Sequence, residues 1–261
     1  MLTLKKSLGQ HFLVDDSISK TITEILQERA LHNLLEVGPG GGALTKHLLT
    51  IPGINLKCVE IDNEKVNYLK RAFPALKQSI IHDDILSIGP PFEGRFTLVG
   101  NFPYNISTQI VFRVIEWKAV IETMIGMFQK EVAERLAAKE GSKVYGVTSV
   151  LVQAFFNVEY LFEVSETAFD PPPKVKSAVI RFTPRLDVPE MKSEAALSTL
   201  VKTAFGQRRK TLRNATRSIF MPEVIKDELF NKRAEELSVN QFAELTFRMG
   251  NSGGVERSKD I

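Results

Sequence analysis

Seven short runs rich in β-branched and other apolar residues recur as far as residue 182. They lie at Leu34 to Val37, Leu56 to Ile61, Ser79 to His82, Phe96 to Val99, Glu122 to Met127, Val158 to Phe162 and Ala178 to Phe182. Helix-like stretches such as Glu64 to Phe73 separate the first four. Strands alternating with helices predict an α/β fold, with a mostly parallel sheet covered by helices on both faces. The last two runs lie closer together and predict an antiparallel end to that sheet. Between them, Asp170-Pro171-Pro172-Pro173 reads as a rigid loop, because proline continues neither a helix nor a central ladder.

A second break at Thr183 to Pro189 changes the pattern. Beyond it, Glu194 to Phe205, Arg208 to Ile219, Glu223 to Asn231 and Asn240 to Met249 read as helical. Two domains are therefore expected, a larger one over residues 1–187 and a small all-helical one over 188–261. A disordered tail is expected from about residue 250, where Gly, Ser and charges follow one another without an apolar period.

Bulk properties exclude more than they select. Hydrophobic content of 43% and charged content of 25% are those of an ordinary globular chain. A net charge of +3 does not mark a polyanion binder by itself, so the distribution of charge must decide. The single cysteine, Cys58, rules out an intrachain disulfide framework, fits a reducing compartment and reads as a strand residue. His11, His32, His47 and His82 show no paired ligand spacing, so no metal site is expected. No run approaches the roughly 18 apolar residues of a membrane span. The N-terminus lacks the apolar segment of a signal peptide, and a cytoplasmic location is expected.

Glu36-Val37-Gly38-Pro39-Gly40-Gly41-Gly42-Ala43 follows the first predicted strand and opens a helix. Gly38, Gly40 and Ala43 occupy the three small positions of the loose dinucleotide-binding pattern, where a tight turn lets the backbone approach a ligand closely. Taken alone, the turn suits a nicotinamide cofactor or S-adenosylmethionine equally. Glu60 ends the second strand, 18 residues after Gly42, where an acid can hold two ribose hydroxyls. Asp62 competes for that role or caps the helix that starts near Glu64. Asp83 and Asp84 end the third strand; one can bond an adenine amino group while the other caps a turn.

Asn101-Phe102-Pro103-Tyr104 at the end of the fourth strand is more specific. An adenine amino nitrogen is a poor nucleophile because its lone pair is delocalised into the ring. Acceptors for its two hydrogens favour the pyramidal, attacking geometry, and the Asn101 side-chain oxygen and the Phe102 carbonyl can supply two. Pro103 stiffens the turn and biases Phe102 away from helix. Tyr104 offers a face on which an extruded base can stack. No strong base is needed, since the proton can leave after methyl transfer, and rate comes from in-line positioning.

These motifs together resemble the bacterial small-subunit (16S) rRNA adenine N6-dimethyltransferase family, the kasugamycin-sensitivity methylases. The similarity extends over nearly the whole chain. It rests on Ser7-Leu8-Gly9-Gln10-His11-Phe12-Leu13, the Glu36 to Thr45 turn, Glu60-Ile61-Asp62, Asp84, Asn101 to Thr108 and Gln129-Lys130-Glu131-Val132. Phe169 to Val175 and Phe205 to Asn214 complete it. The resemblance implies a Rossmann-like methyltransferase sheet, S-adenosylmethionine as methyl donor with S-adenosylhomocysteine as product, and no metal. It implies cofactor contacts at His11, Leu13, Gly38, Glu60, Asp84 and Asn101, with Gly40 in the same turn. It places the Phe169 loop over the target pocket, so that Tyr104 and Phe169 sandwich the flipped adenine. It also implies two methyl groups on each of two adjacent adenosines in the 3′-terminal hairpin loop of small-subunit rRNA, within a pre-small subunit. The glycine turn departs from the family pattern by extra glycine at Gly41 and Gly42, and two further departures stand out. His11 replaces a common asparagine, and Phe102 replaces the usual leucine.

Lys202, Arg208, Arg209, Lys210, Arg213 and Arg217 lie in a stretch with no acid from Val201 to Arg217. Arg209, Arg213 and Arg217 are spaced to share one helix face. Beside an adenine-methylating motif this segment is expected to contact RNA phosphates, which give affinity without reading sequence. Lys5 and Lys6 extend the same expectation. The competing readings are a large-subunit rRNA adenine dimethylase, a DNA adenine methylase and a non-catalytic ribosome-assembly factor. Asn101 and Tyr104 favour catalysis over the last, and no separate target-recognition domain supports DNA. A nicotinamide oxidoreductase would leave Asn-x-Pro-Tyr without a role. A monomer is expected.

Overall fold

The computed structural model describes residues 11–250. Lys5, Lys6, the start of the first family motif and the expected tail beyond residue 250 lie outside the described residues. The chain forms two compact units. The first runs through Ala137 and resumes over Phe155–Arg185; the second takes Ala138–Ala154 and the chain from Leu186 onward.

In the first unit, β1 (Phe12–Leu13) and α1 (Asp16–Leu26) precede β2 (Asn33–Val37), α2 (Thr45–Leu48), β3 (Asn55–Glu60), α3 (Asn63–Ala72) and β4 (Ile80–His82). Then come β5 (Phe96–Asn101), α4 (Ser107–Glu116), β6 (Ile121–Gln129) and α5 (Lys130–Ala137). All seven predicted runs form strands of one sheet, the last two as β7 (Phe156–Val164) and, after the short β8 (Phe169–Asp170), β9 (Ser177–Pro184). The order is β4-β3-β2-β5-β6-β9-β7. β2 to β6 pair in parallel, and β9 pairs antiparallel with both β6 and β7. Parallel strands buried on both faces need apolar residues at nearly every position, and β5 buries Phe96 to Gly100 in succession. One face joins Leu34, Cys58, Val99, Ile125 and Val179 to Ile22 and Leu26 of α1. α1 starts where the Asp15 side chain accepts the Ser17 N–H. β1 and β8 form a separate antiparallel pair, in which Leu13 faces Phe169; two residues are too few to leave a strand signature.

The second unit holds α6 (Val147–Gln153), α7 (Glu194–Phe205), α8 (Leu212–Ala215) and α9 (Val239–Leu245). It departs from the chain-order reading in two ways. Residues 138–154 belong to it, although they precede β7. They do so because α6 packs on α7, and Tyr145 sets its ring edge-on 6.1 Å from Phe205. The predicted Arg208–Ile219 helix does not form. α7 stops at Phe205, a turn follows, and α8 covers only Leu212–Ala215. Thr211 has extended backbone and bridges Arg233, while the Leu212 N–H donates to the Lys232 carbonyl at 2.7 Å. These pairings take the hydrogen bonds a helix would use, so Arg209, Arg213 and Arg217 do not share a helix face. The predicted Glu223–Asn231 helix becomes two 3₁₀ turns, Val224–Lys226 and Glu228–Asn231, separated by Asp227, whose side chain caps Leu229. Of the last predicted helix, α9 ends at Leu245 and a 3₁₀ turn covers Thr246–Arg248. Among the described residues, no helix is long and apolar enough to cross a membrane.

Candidate active site

β2 and β5 are neighbours, although the chain builds β3 and β4 between them. The strand order therefore reverses at this point, and such a switch opens a crevice at the carboxyl ends of the strands. The glycine turn leaves β2 and Asn-x-Pro-Tyr leaves β5 on the two sides of that crevice. A cavity of about 600 Å³ occupies it. His11, Leu13, Gly38, Gly40, Glu60, Asp84, Asn101, Phe102, Pro103 and Tyr104 all line it.

At the glycine end, Gly38 and Gly40 take φ of +67° and +57°. The left-handed turn at Gly40, a conformation costly for other residues, points its N–H at Glu60 Oε2, 3.2 Å away. The Asp62 N–H donates to Glu60 Oε1 at 3.0 Å. A carboxylate offers about four acceptor sites, so the buried Glu60 retains acceptor capacity for two ribose hydroxyls. Ile61, 52% exposed, lines the cavity beside it and offers an apolar surface to a flat base. The sequence reading missed Ile61; its signal was an apolar residue directly after a strand-ending acid. Asp62 does not line the cavity and caps α3, accepting the Glu64 N–H at 3.0 Å. Asp83 and Asp84 both line it. Asp84 Oδ1 accepts the Leu86 N–H at 2.9 Å, and Asp83 Oδ1 accepts that of Asp84 at 2.7 Å.

Glu36 was read only as the start of the glycine motif. It lies buried behind the turn, where Thr45 Oγ1 donates to its Oε2 at 2.7 Å and the Cys58 thiol does so at 3.6 Å. Burial pushes its carboxyl up to about 7.

At the other end, Asn101 is half-buried, and its side-chain amide has no hydrogen-bond partner among the described residues. The Phe102 N–H donates to the Met127 carbonyl at 3.2 Å. Its ring is buried edge-on to Phe128 at 5.0 Å and lies where any side chain on Gly126 would intrude, within 2.2 Å of a Cβ. Phe102 thus fills space that two glycines, Gly100 and Gly126, leave open, and the peptide carrying its carbonyl is held from both sides. Pro103 faces the glycine turn, its Cδ 4.0 Å from the Cβ position of Gly38. The Tyr104 hydroxyl lies 2.6 Å from Ser177 Oγ. The His11 ring sits 5.6 Å from the Tyr104 ring, tilted by 32°, with its Nδ1 2.8 Å from the Pro171 carbonyl oxygen. Burial raises the Tyr104 phenol above the usual tyrosine range, so the ring stays neutral.

Phe169 is placed differently from the expectation. It does not line the cavity, is 3% exposed and packs in the core with Leu13, Ala168 and Val164. The Leu13 pairing draws the ring inward, where burial of an aromatic is strongly favoured, and this arrangement offers no open face to a base. The basic residues of the second unit also divide. The Arg208 guanidinium donates to the Lys143 and Tyr145 carbonyls, and Arg213 Nε donates to Ile225 O at 2.9 Å. Lys202, Arg209, Lys210 and Arg217 are exposed. Among the described residues, no group of three or more His, Cys, Asp or Glu is arranged to hold a metal ion.

A family model described as ribosomal RNA adenine dimethylase matches residues 1–249. A protein of Flavobacterium johnsoniae named ribosomal RNA small subunit methyltransferase A is 49% identical over 253 residues, covering 95% of this chain and 97% of its own. One of the same name from Phocaeicola vulgatus is 51% identical over 248 residues, covering 93% and 88%. Among solved structures, a dimethyladenosine transferase from Plasmodium falciparum superposes with a TM-score of 0.76 at 22% identity, over 92% of this chain and 99% of its own. The 23S rRNA methyltransferase ErmE does so with 0.71 at 24% identity, over 91% and 99%. At those identities the superpositions speak for the fold alone.

Proposed function

The chain belongs to the ribosomal RNA adenine dimethylase family, and from that premise we propose that it dimethylates the amino groups of two adjacent adenosines in the 3′-terminal hairpin loop of small-subunit rRNA. The observation that carries this reading is the cavity at the switch between β2 and β5, which joins Glu60 to Asn-x-Pro-Tyr in one crevice. The name shared by relatives near 50% identity supports the small subunit as substrate.

The donor fits the residues present. Gly38 and Gly40 hold the turn open, Glu60 has unused acceptor sites, and Ile61 faces the cavity. When bound, S-adenosylmethionine supplies an electrophilic methyl group on a sulfonium. The chain supplies the rest. Asn101 Oδ1 and the Phe102 carbonyl accept the two amino hydrogens of the adenine and draw its nitrogen toward the attacking geometry. Their attraction grows as that nitrogen gains positive charge, so it favours the transition state over the ground state. Tyr104 stacks on the extruded base. After each transfer the proton leaves to solvent, so no residue with a raised basicity is required. In the second unit, Lys202, Arg209, Lys210 and Arg217 meet RNA phosphates, and Arg208 and Arg213 shape the backbone that presents them. The protein acts as a monomer on a pre-small subunit and needs no metal.

Labelled methyl transfer to under-methylated small subunits, followed by nucleoside analysis, should yield N6,N6-dimethyladenosine at two adjacent positions. Label appearing on purified large subunits instead would overturn the small-subunit reading.

A further inference from the structure

We propose that Ser177 is a positioning residue for the methyl transfer, acting by fixing the ring of Tyr104 in the plane on which the target base stacks. This rests on the stacking role of Tyr104 given above. Ser177 opens β9, 73 residues after Tyr104 in the chain, and its side chain is fully buried. Its Oγ lies 2.6 Å from the Tyr104 hydroxyl, a short O–H···O contact. The serine is itself immobilised. β9 is an inner strand here, and Ser177 pairs with Gln129 of β6 on one side and Val164 of β7 on the other. The adjacent Lys176 carbonyl accepts the Lys130 N–H at 2.9 Å. The tyrosine hydroxyl is thus tied to the first residue of an inner strand, while its ring stands in the cavity on a loop.

A phenylalanine ring in the same place could rotate about two torsions with little to choose between orientations. The hydroxyl removes that freedom, because tilting the ring breaks a buried hydrogen bond whose partner has no water to turn to. The His11 ring, held by its own contact with the Pro171 carbonyl, limits the tilt from a second direction. A stacking platform set at a fixed angle sets the angle of the base, and with it the line from the amino nitrogen to the methyl group. Methyl transfer is sensitive to that line, since small misplacements of reacting atoms cost large factors in rate.

The test is a double-mutant cycle on single-turnover methyl transfer at saturating cofactor, with Ser177→Ala, Tyr104→Phe and both together. Each single variant should fall about tenfold in rate, a change of ~1.4 kcal/mol, with cofactor affinity by calorimetry unchanged. The double variant should be no slower than either single one, because each removes the same hydrogen bond. A Ser177→Ala variant of normal rate, or a further tenfold fall in the Tyr104→Phe background, would overturn the proposal. If Ser177→Ala fails to fold, Tyr104→Phe alone decides, and a normal rate rejects the tether. Tyr104→Ala separates this from the underlying reading. Full activity there rejects stacking itself, whereas an inactive Tyr104→Ala beside a fully active Tyr104→Phe rejects only the role of Ser177.

Discussion

The acids at one end of the crevice and the Asn101 amide at the other are held in opposite ways. At the glycine end, Glu60 already accepts two backbone N–H groups, Asp84 accepts one, and Glu36 holds Thr45 and Cys58. These side chains would keep their places whether or not a ligand arrived. At the other end, the Asn101 amide has no partner among the described residues. The committed acids form a mould in advance, and under the proposed function the uncommitted amide is kept for chemistry. Groups that act mainly in the transition state gain nothing from being satisfied beforehand, whereas a cofactor site gains from being rigid before binding.

The sharpest way to break this contrast is Asn101→Ala. The rate should fall by about 10²–10³-fold, as when a single oriented group at a developing charge is removed, and folding stability should not change. Single-turnover transfer with mono- and dimethyladenosine counted separately reads the first effect, and denaturant melts the second. Near-normal turnover would end the proposed mechanism.

Glu36 tests the mould. Its carboxyl titrates near 7 in the folded chain and near 4.5 when unfolded, so the folded state holds the extra proton in that window. Its contribution to stability is complete below pH 4.5 and is lost as pH rises through about 7, by up to ~3 kcal/mol. Glu36→Gln, which keeps an acceptor for Thr45 but cannot ionise, should flatten that decline. Denaturant melts at pH 5, 6, 7 and 8 would contradict this if both proteins declined in parallel.

Glu60→Ala should act on binding and on stability together. It should weaken S-adenosylmethionine binding by about tenfold or more, a charged hydrogen bond contributing roughly 1.5–3 kcal/mol, and it should lower stability, because the Gly40 and Asp62 N–H groups lose their acceptor. Calorimetry showing unchanged affinity in a folded variant removes Glu60 from the site. The same contrast extends to the basic residues. Neutralising Arg209 and Lys210 should flatten the log–log salt dependence of subunit binding by about 0.7–0.9 per contact while leaving the melting temperature alone. Arg208→Ala, which frees two carbonyls, should lower the melting temperature. Equal melting temperatures for the two sets would dissolve the distinction.

What the sequence revealed was local. Each strand of the sheet carries its own apolar run, and the glycine turn and Asn-x-Pro-Tyr each sit at the end of a strand. What it concealed depends on partners far along the chain. Gln207 to Asn214 has helical composition, but Thr211 and Leu212 bond to Arg233 and Lys232. Ala138 to Ala154 looks like any connection between strands until α7 is present to cover it. Ser177 is one serine at the start of a strand, and no pattern announces its tyrosine. The family motif pointed Phe169 at the base, yet the ring packs in the core, where Leu13, 156 residues earlier by the register of β1 and β8, pairs with it.

The interrupted second unit bears on how the chain is made. Synthesis delivers Ala138–Ala154 well before Leu186 and the helices beyond it. Tyr145, Val150 and Val152 are fully buried in the finished protein, yet Phe205 and α7, against which this segment packs, are translated later. Until they emerge, that segment lacks the α7 surface on which it packs. A transcript that stops after Arg185 would therefore not yield a trimmed enzyme but one carrying an exposed apolar insert, and cutting the chain at its obvious composition break would produce a substrate for chaperones and proteases.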